Sequence, residues 1–247
     1  MIERIVILHY HLFKNAGTSV DRILQDNFGS RWVTKEFPLA HNNNSSLVAE
    51  WIQENPSAIA FSSHTMVGPV PKIPGVRIVT LTQLRDPIAR INSAYRFERK
   101  QDKDAFGPVL AKNTSLEGYV RVRLSLKNDR QCRNFQTSRM SSLVPGDMPE
   151  LDRARAAISH LDIVGRVETF DHTLDRMREV LIPHFPSMVI NNVHANKSRS
   201  SSEGAPESVT ELLREHNQDD MALLEYLKLA TAGAGTTTPA YSTQMFS

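Results

Sequence analysis

Short β-branched runs alternating with amphipathic helical segments predict an α/β fold, with a P-loop-like central parallel sheet flanked by helices. Three stretches carry that expectation. The run Ile5-Val6-Ile7-Leu8 leads into the small-residue segment Lys14-Asn15-Ala16-Gly17-Thr18-Ser19, and apolar positions at helical spacing follow at Val20, Ile23 and Leu24. The β-branched run Val76 to Leu84 follows a Pro74-Gly75 turn and passes through Arg85-Asp86-Pro87 into another helix. Ile163-Val164-Gly165 is a third such run, set between two helical patterns.

The chain has 247 residues, 40% of them hydrophobic, enough to bury a full core. A single domain is expected over residues 1–230. Residues 231–247 are mostly Gly, Ala, Thr and Ser, and read as a disordered tail with little to bury. Twenty-nine basic against 27 acidic residues leave a formal charge of +2, so bulk electrostatics does not point to a nucleic-acid partner. The single cysteine, Cys132, excludes an intramolecular disulfide and a cysteine-rich metal site, and reads as a packed, inert thiol. The N-terminus lacks a signal-peptide pattern, and no apolar run approaches the roughly 20 residues that span a bilayer. A soluble cytoplasmic protein with no membrane partner is therefore expected.

Taken in order, the first strand and helix flank the small-residue loop, and Trp32 to Asn44 reads as loop because it holds Pro38 and three consecutive asparagines. Ser45 or Ser46 is a candidate cap for a helix over about Leu47 to Asn55, closed by Pro56. Ala58 to His64 reads as a buried strand ending on a histidine. After the Val76–Leu84 strand, Asp86 suits an N-cap and Pro87 the first helical position, which predicts a helix to about Arg99. Ile88, Ile91, Ala94 and Tyr95 face inward on that helix, while Arg90, Ser93 and Phe97 share another stripe. Lys100 to Asn113 reads as a surface connection, Leu116 to Leu126 as a helix, and Asp129 to Ser142 as a polar segment rich in arginine and amides. A helix over Leu151 to His160, the short strand Ile163 to Gly165, and a helix over Phe170 to Leu181 come next. Asn191 to Glu203 is then a basic loop, and Pro206 to Leu229 one or two helices.

A strand, a small-residue loop and a helix together aim free backbone N–H groups and the positive end of a helix dipole at one point, and Lys14 adds a cation. This is a socket for a phosphate-like anion. It fails the pattern G-x-x-x-x-G-K-[ST], because Lys14 precedes Gly17 instead of following a glycine, so ATP is not implied. Arg85 and Ser93, at the end of another strand and in the helix after it, form a second anion-binding set.

The pair His11-x-x-Lys14-x-Ala16-Gly17-Thr18-Ser19 and Leu84-Arg85-Asp86-Pro87-x-x-Arg90-x-x-Ser93-x-Tyr95 resembles the sulfotransferases that use 3′-phosphoadenosine 5′-phosphosulfate (PAPS). The branch it resembles is that of the heparan sulfate 2-O-sulfotransferases and their bacterial relatives. Val164-Gly165-x-x-Glu168-x-Phe170 and Asn134-x-Gln136-Thr137 are similar to further segments of that family, so the likeness runs to about Tyr226. Phe13 stands where relatives usually carry proline and Asn15 where threonine is common. The arginine expected after Gln-Thr is Ser138, with Arg139 one place later.

The resemblance implies a sulfotransferase fold, with PAPS as sulfuryl donor and no metal requirement. It implies that Lys14, Asn15, Ala16, Gly17, Thr18 and Ser19 hold the 5′-phosphosulfate and that Arg85 and Ser93 hold the 3′-phosphate. A late basic loop covers the cofactor in that family, which makes Lys197 and Arg199 candidates. Lys14 would neutralise the leaving phosphate. His64, at a strand's carboxyl end, is the candidate base, as the histidine after the second strand is in the family. His11 is the competing base or an orienter of the loop, and His9, His41 and His160 have no supporting context.

The acceptor implied is a hydroxyl, or an amine, on a carbohydrate or small metabolite, met by parts of Trp32–Asn44, Lys100–Asn113 and Asp129–Ser142. The oligomeric state stays open. Two other classes remain: a P-loop kinase-like transferase using ATP, and a non-catalytic module that binds sulfated or phosphorylated ligands.

Overall fold

The structure, a computed structural model, describes residues 3–38, 43–191 and 206–233. Five strands form one sheet in the order β2-β3-β1-β4-β5, with every neighbouring pair parallel. β1 (Arg4–Tyr10) lies at the centre, paired with β3 (Ala60–Ser63) on one side and β4 (Val76–Leu84) on the other. β2 (Trp32–Thr34) and β5 (Ile163–Arg166) are the edges. The register matches Tyr10 with Ser63 and with Thr82, so the carboxyl ends of the three central strands finish close together.

Alternation along β1 sends Ile7 to one face and Val6, Leu8 and Tyr10 to the other. On the first face pack α1 (Gly17–Phe28), through Val20, Ile23 and Leu24, and α8 (Phe170–Leu181), through Leu174, Met177 and Leu181. The opposite face carries α2 (Ser45–Glu54), α6 (Phe135–Ser141), α7 (Glu150–His160) and α10 (Gln218–Gly233). A third apolar cluster lies among α3 (Pro87–Lys100), α4 (Phe106–Asn113), α5 (Leu116–Ser125) and α9 (Glu207–His216). The connection from β1 runs towards β2 and that from β4 towards β5, so the chain departs in opposite directions from these two neighbours. Such a switch point leaves a crevice beyond the strand ends.

Several elements depart from the sequence expectation. Trp32 to Thr34 is strand, because pairing with Ala60 to Ser62 supplies hydrogen bonds that the segment does not advertise locally. α2 begins at Ser45 after Asn44, whose side chain is committed to the Thr65 carbonyl and the Val67 N–H. Residues 106–113 form a helix despite Gly107 and Pro108, which sit in its first turn where proline is tolerated. Part of the 129–142 segment is α6, whose Gln136 and Thr137 N–H groups donate to the Asp220 carboxylate of α10. That cap lies 83 residues away in the chain for Thr137 and has no local signature. Thr231 to Gly233 belong to α10, and the rest of the expected tail lies outside the described residues, as does most of the 191–203 loop. Asp86 does cap α3, accepting from the Ala89 N–H at 2.8 Å, with Pro87 at its first position.

Cys132 is fully buried, and burial pushes its thiol up to about 12, which keeps it unreactive. Among the described residues no helix is long and apolar enough to cross a membrane.

Candidate functional site

Each central strand delivers a polar residue just past its carboxyl end: His11 after β1, His64 after β3 and Arg85 after β4. A cleft of about 600 Å³ opens there, lined among others by His11, Lys14, Ala16, Gly17, Thr18, Ser19, His64, Arg85, Ser93, Arg96, Phe97 and Lys100. Its volume lies within the range of ligand sites, roughly 300–1,000 Å³.

The loop between β1 and α1 forms one wall. Lys14 and Ala16 both adopt left-handed backbone conformations, with φ of 66° and 57°, while Asn15 between them does not. Alternating handedness turns successive N–H groups towards one side, and the first N–H groups of α1 have no intrahelical acceptor. The result is a concavity suited to an anion. Gly17 opens α1 where a Cβ would overlap the His11 ring, so the helix start can sit against that imidazole only without a side chain. Lys14 extends across the cleft, its Nζ 4.1 Å from the centre of the Phe97 ring. Burial, and then the neighbouring Arg85, lower its pKa.

Arg85 and α3 form the opposite wall. The Arg85 guanidinium donates to the Lys14 carbonyl at 3.0 Å, which joins the two walls. Burial lowers its pKa, against the pull of Glu168, whose carboxylate accepts from the Asp86 N–H at 2.7 Å. Ser93, Arg96, Phe97 and Lys100 present one face of α3 to the cleft. Arg90, expected on the same stripe as Ser93 and Phe97, is instead fully buried. Its guanidinium lies under the Phe135 ring and donates to the Gln131 carbonyl.

Three histidines line up beneath and beside the loop. The Asp21 carboxylate of α1 accepts from His9 Nδ1 at 2.8 Å and from His11 Nδ1 at 2.7 Å. Burial alone would raise the Asp21 carboxyl, but the charges and hydrogen bonds of the two imidazoles hold it well below the usual carboxylate range. The His11 ring lies against His64 with centres 3.8 Å apart and the planes tilted by 31°. His64 Nδ1 in turn donates to Glu36 at 2.8 Å. Burial lowers the pKa of both cleft histidines. For His64 the facing His11 adds to this, while Glu36 and Asp21 oppose it. His9, His11 and Asp21 lie close enough together to hold a metal ion, yet each Nδ1 and each carboxylate oxygen is already engaged in a hydrogen bond within the group.

The cleft therefore brings together Lys14, Ala16, Gly17, Thr18, Ser19, Arg85, Ser93 and His64. Asn15 is a correction. Its side chain is buried away from the cleft, donating to the Gln83 carbonyl and to Gln136 Oε1, both at 2.7 Å, and its N–H donates to the Leu12 carbonyl. It braces the loop, with its amide and backbone N–H groups already engaged within the protein. His9, which lacked context in the sequence, is part of the Asp21 pair. Lys197 and Arg199 lie outside the described residues, as does His41.

Sequence reasoning missed Asp21, Glu36, Arg96 and Lys100, and gave Gln136 no role. Gln136 Oε1 accepts from Asn15 and from the Arg85 N–H, and its Nε2 donates to the Arg85 carbonyl, so one buried amide holds both loops. Arg96 and Lys100 follow Ser93 by three and seven residues, a helical stripe that was available as a signal. Glu36 has none, because only the β2–β3 pairing brings it to His64.

No family model matches the chain. It is 35% identical over 244 residues to an uncharacterized protein of Archaeoglobus fulgidus, an overlap that covers 91% of this chain and 96% of that one.

Proposed function

The chain belongs to one family with that archaeal protein, and we propose that it is a sulfotransferase moving the sulfuryl group of PAPS to a hydroxyl or amine of a carbohydrate or small metabolite. The observation that carries this reading is the joining of two anion sockets across one cleft. Lys14 and the start of α1 form the first, Arg85 and Ser93 the second, and a carboxylate-backed histidine stands beside them. A donor with phosphate groups at the 5′ and 3′ positions of one nucleoside would present an anion to each socket. Among the described residues, those lining the cleft include no carboxylate cluster of the kind that holds magnesium for a triphosphate.

Bound PAPS supplies the sulfuryl group, which passes to the acceptor as its bond to the 5′-phosphate oxygen breaks. The residues of this chain then have separable duties. The N–H groups of Gly17 and Thr18 and the Lys14 ammonium hold the 5′ end and neutralise charge that grows on the leaving phosphate. Arg85 and Ser93 hold the 3′-phosphate, and the Arg85–Lys14 hydrogen bond keeps the two ends in register. His64 takes the acceptor proton on Nε2 as the new O–S or N–S bond forms. Exposure selects it over His11: the His64 side chain is 45% exposed and that of His11 only 7%.

Adenosine 3′,5′-bisphosphate raises the thermal midpoint on this reading, and ATP with magnesium does not. His64→Ala retains the bisphosphate while transfer from radiolabelled donor falls by about 10²–10⁴-fold, the usual worth of a general base. Lys14→Ala loses both. Wild-type turnover in His64→Ala removes the base assignment, and wild-type kinetics in Lys14→Ala removes the sulfotransferase reading itself.

A further inference from the structure

β2 is a three-residue edge strand matched to β3 with Thr34 opposite Ser62. Two residues past its end, Glu36 meets the turn that follows β3. Its Oε1 accepts from His64 Nδ1 at 2.8 Å and from the His64 N–H at 3.2 Å. Its Oε2 accepts from the Thr65 hydroxyl at 2.8 Å and from the Ser63 hydroxyl at 3.4 Å. Thr65 Oγ1 also accepts from the N–H of Phe37, and the buried Phe37 ring packs edge-on against Trp51. Both carboxylate oxygens are thus clamped by one turn, and the neighbouring residue is anchored in the core.

A half-exposed carboxylate–imidazole contact contributes little to stability, about 0–1 kcal/mol even with the imidazole charged, so holding the fold together does not account for it. Its chemical consequence is specific. An ionised carboxylate only accepts, so the proton of neutral His64 sits on Nδ1 and the lone pair is left on Nε2. We propose that Glu36 is the positioning residue of this site: it selects the His64 tautomer whose Nε2 is free to accept a proton, and it stabilises the imidazolium that results. This rests on the reading of His64 as the base in sulfuryl transfer.

The groups facing His64 divide in sign. His11, after β1, opposes a charge on it, while Glu36, after β2, and Asp21, on α1, favour one. Arg139 of α6 is the cation whose field meets Glu36. Glu36 is the only one of these that touches His64 through a hydrogen bond to the ring. An amide in its place can donate to Nδ1, which moves the ring proton to Nε2 and blocks the base.

The test is ¹⁵N NMR of the full chain labelled at histidine, with wild type compared with Glu36→Gln, together with the pH dependence of kcat. The expected result is an Nδ1–H tautomer for His64 in wild type and an Nε2–H tautomer in Glu36→Gln. A fall of about 10²-fold in kcat, within the range of general-base effects, accompanies it with bisphosphate affinity unchanged. Glu36→Asp restores part of the rate, and Thr65→Val, which frees one carboxylate oxygen, gives a smaller loss should the amide variant fold poorly. An Nε2–H tautomer in wild type overturns the proposal, as does a Glu36→Gln variant with unchanged kcat and pH profile. A tautomer that switches in a protein without sulfuryl transfer supports the role of Glu36 and overturns the sulfotransferase reading instead.

Discussion

Replacing Gly17 by alanine tests how closely the anion loop is built onto the histidine row. The backbone at Gly17 is not left-handed, so alanine is allowed there, and its helix propensity would favour the change by up to about 1 kcal/mol. The new Cβ, however, overlaps the His11 ring, which cannot retreat freely because its Nδ1 is held by Asp21 at 2.7 Å. If the ring stays, overpacking costs about 1–3 kcal/mol. If it turns away, a hydrogen bond to a charged group worth about 1.5–3 kcal/mol is lost. At mid-range either route outweighs the propensity gain, and the net destabilisation is about 1 kcal/mol, or roughly 2–4 °C in thermal midpoint for a chain of this size. The start of α1 also shifts, so bisphosphate affinity measured calorimetrically falls by about tenfold or more, equivalent to about 1.4 kcal/mol. Gly29→Ala is the control. It sits at φ 53° and ψ −123° with no atom within 4 Å of the place a methyl group would take, so it costs about 1–3 kcal/mol of backbone strain and leaves affinity alone. A Gly17→Ala variant with unchanged midpoint and affinity would refute the contact between loop and imidazole.

Gln136→Ala removes one of the two acceptors of the Asn15 amide and the partners of both backbone groups of Arg85, buried or part-buried groups that cost about 1–3 kcal/mol each when left unpaired. A loss of roughly 3 kcal/mol is expected by denaturant unfolding, with weaker bisphosphate binding; a loss below the error of the measurement would show that the two loops stand without it. Stability also depends on pH through the cleft histidines. His11 and His64 have pKa values lowered by burial, so on acidification the unfolded chain takes up protons first, below about 6.5, and the folded state loses stability as pH falls from 7 to 5. Asp21, depressed instead, contributes stability above about 3.9 that is lost only at lower pH, outside this window. His11→Asn should flatten the slope of midpoint against pH; an unchanged slope would place its source elsewhere.

The Val76–Leu84 strand, the Asp86-Pro87 start of α3 and the Phe170–Leu181 helix were legible residue by residue, because β-branched runs, caps and 3.6-residue periodicity are local properties. So were Lys14, Gly17, Arg85 and Ser93 as site candidates, since they stand at or just beyond strand-to-helix transitions of a parallel sheet, and His64, since it stands just past the carboxyl end of a strand. Asn15 was misread for the opposite reason. Its neighbours in sequence face the cleft, while its own amide reaches Gln83 and Gln136 on elements that a local pattern cannot bring near. The strand of Trp32 to Thr34 and the helix over 135–141 were equally hidden, one depending on pairing with β3 and the other on a cap from Asp220.

By itself the sequence determined the alternation of most strands and helices, the two strand-to-helix transitions after β1 and β4, and the identity of the residues at their tips. Only the tertiary structure decided which side chains converge: that β1 and β4 are neighbours, that Asp21 spans two histidines, and that Glu36 stands behind His64. The physical reason is range. Backbone preference acts over a few residues, whereas the hydrogen bonds that orient an imidazole are made by whichever part of the chain the packing of the sheet and its helices brings within about 3 Å.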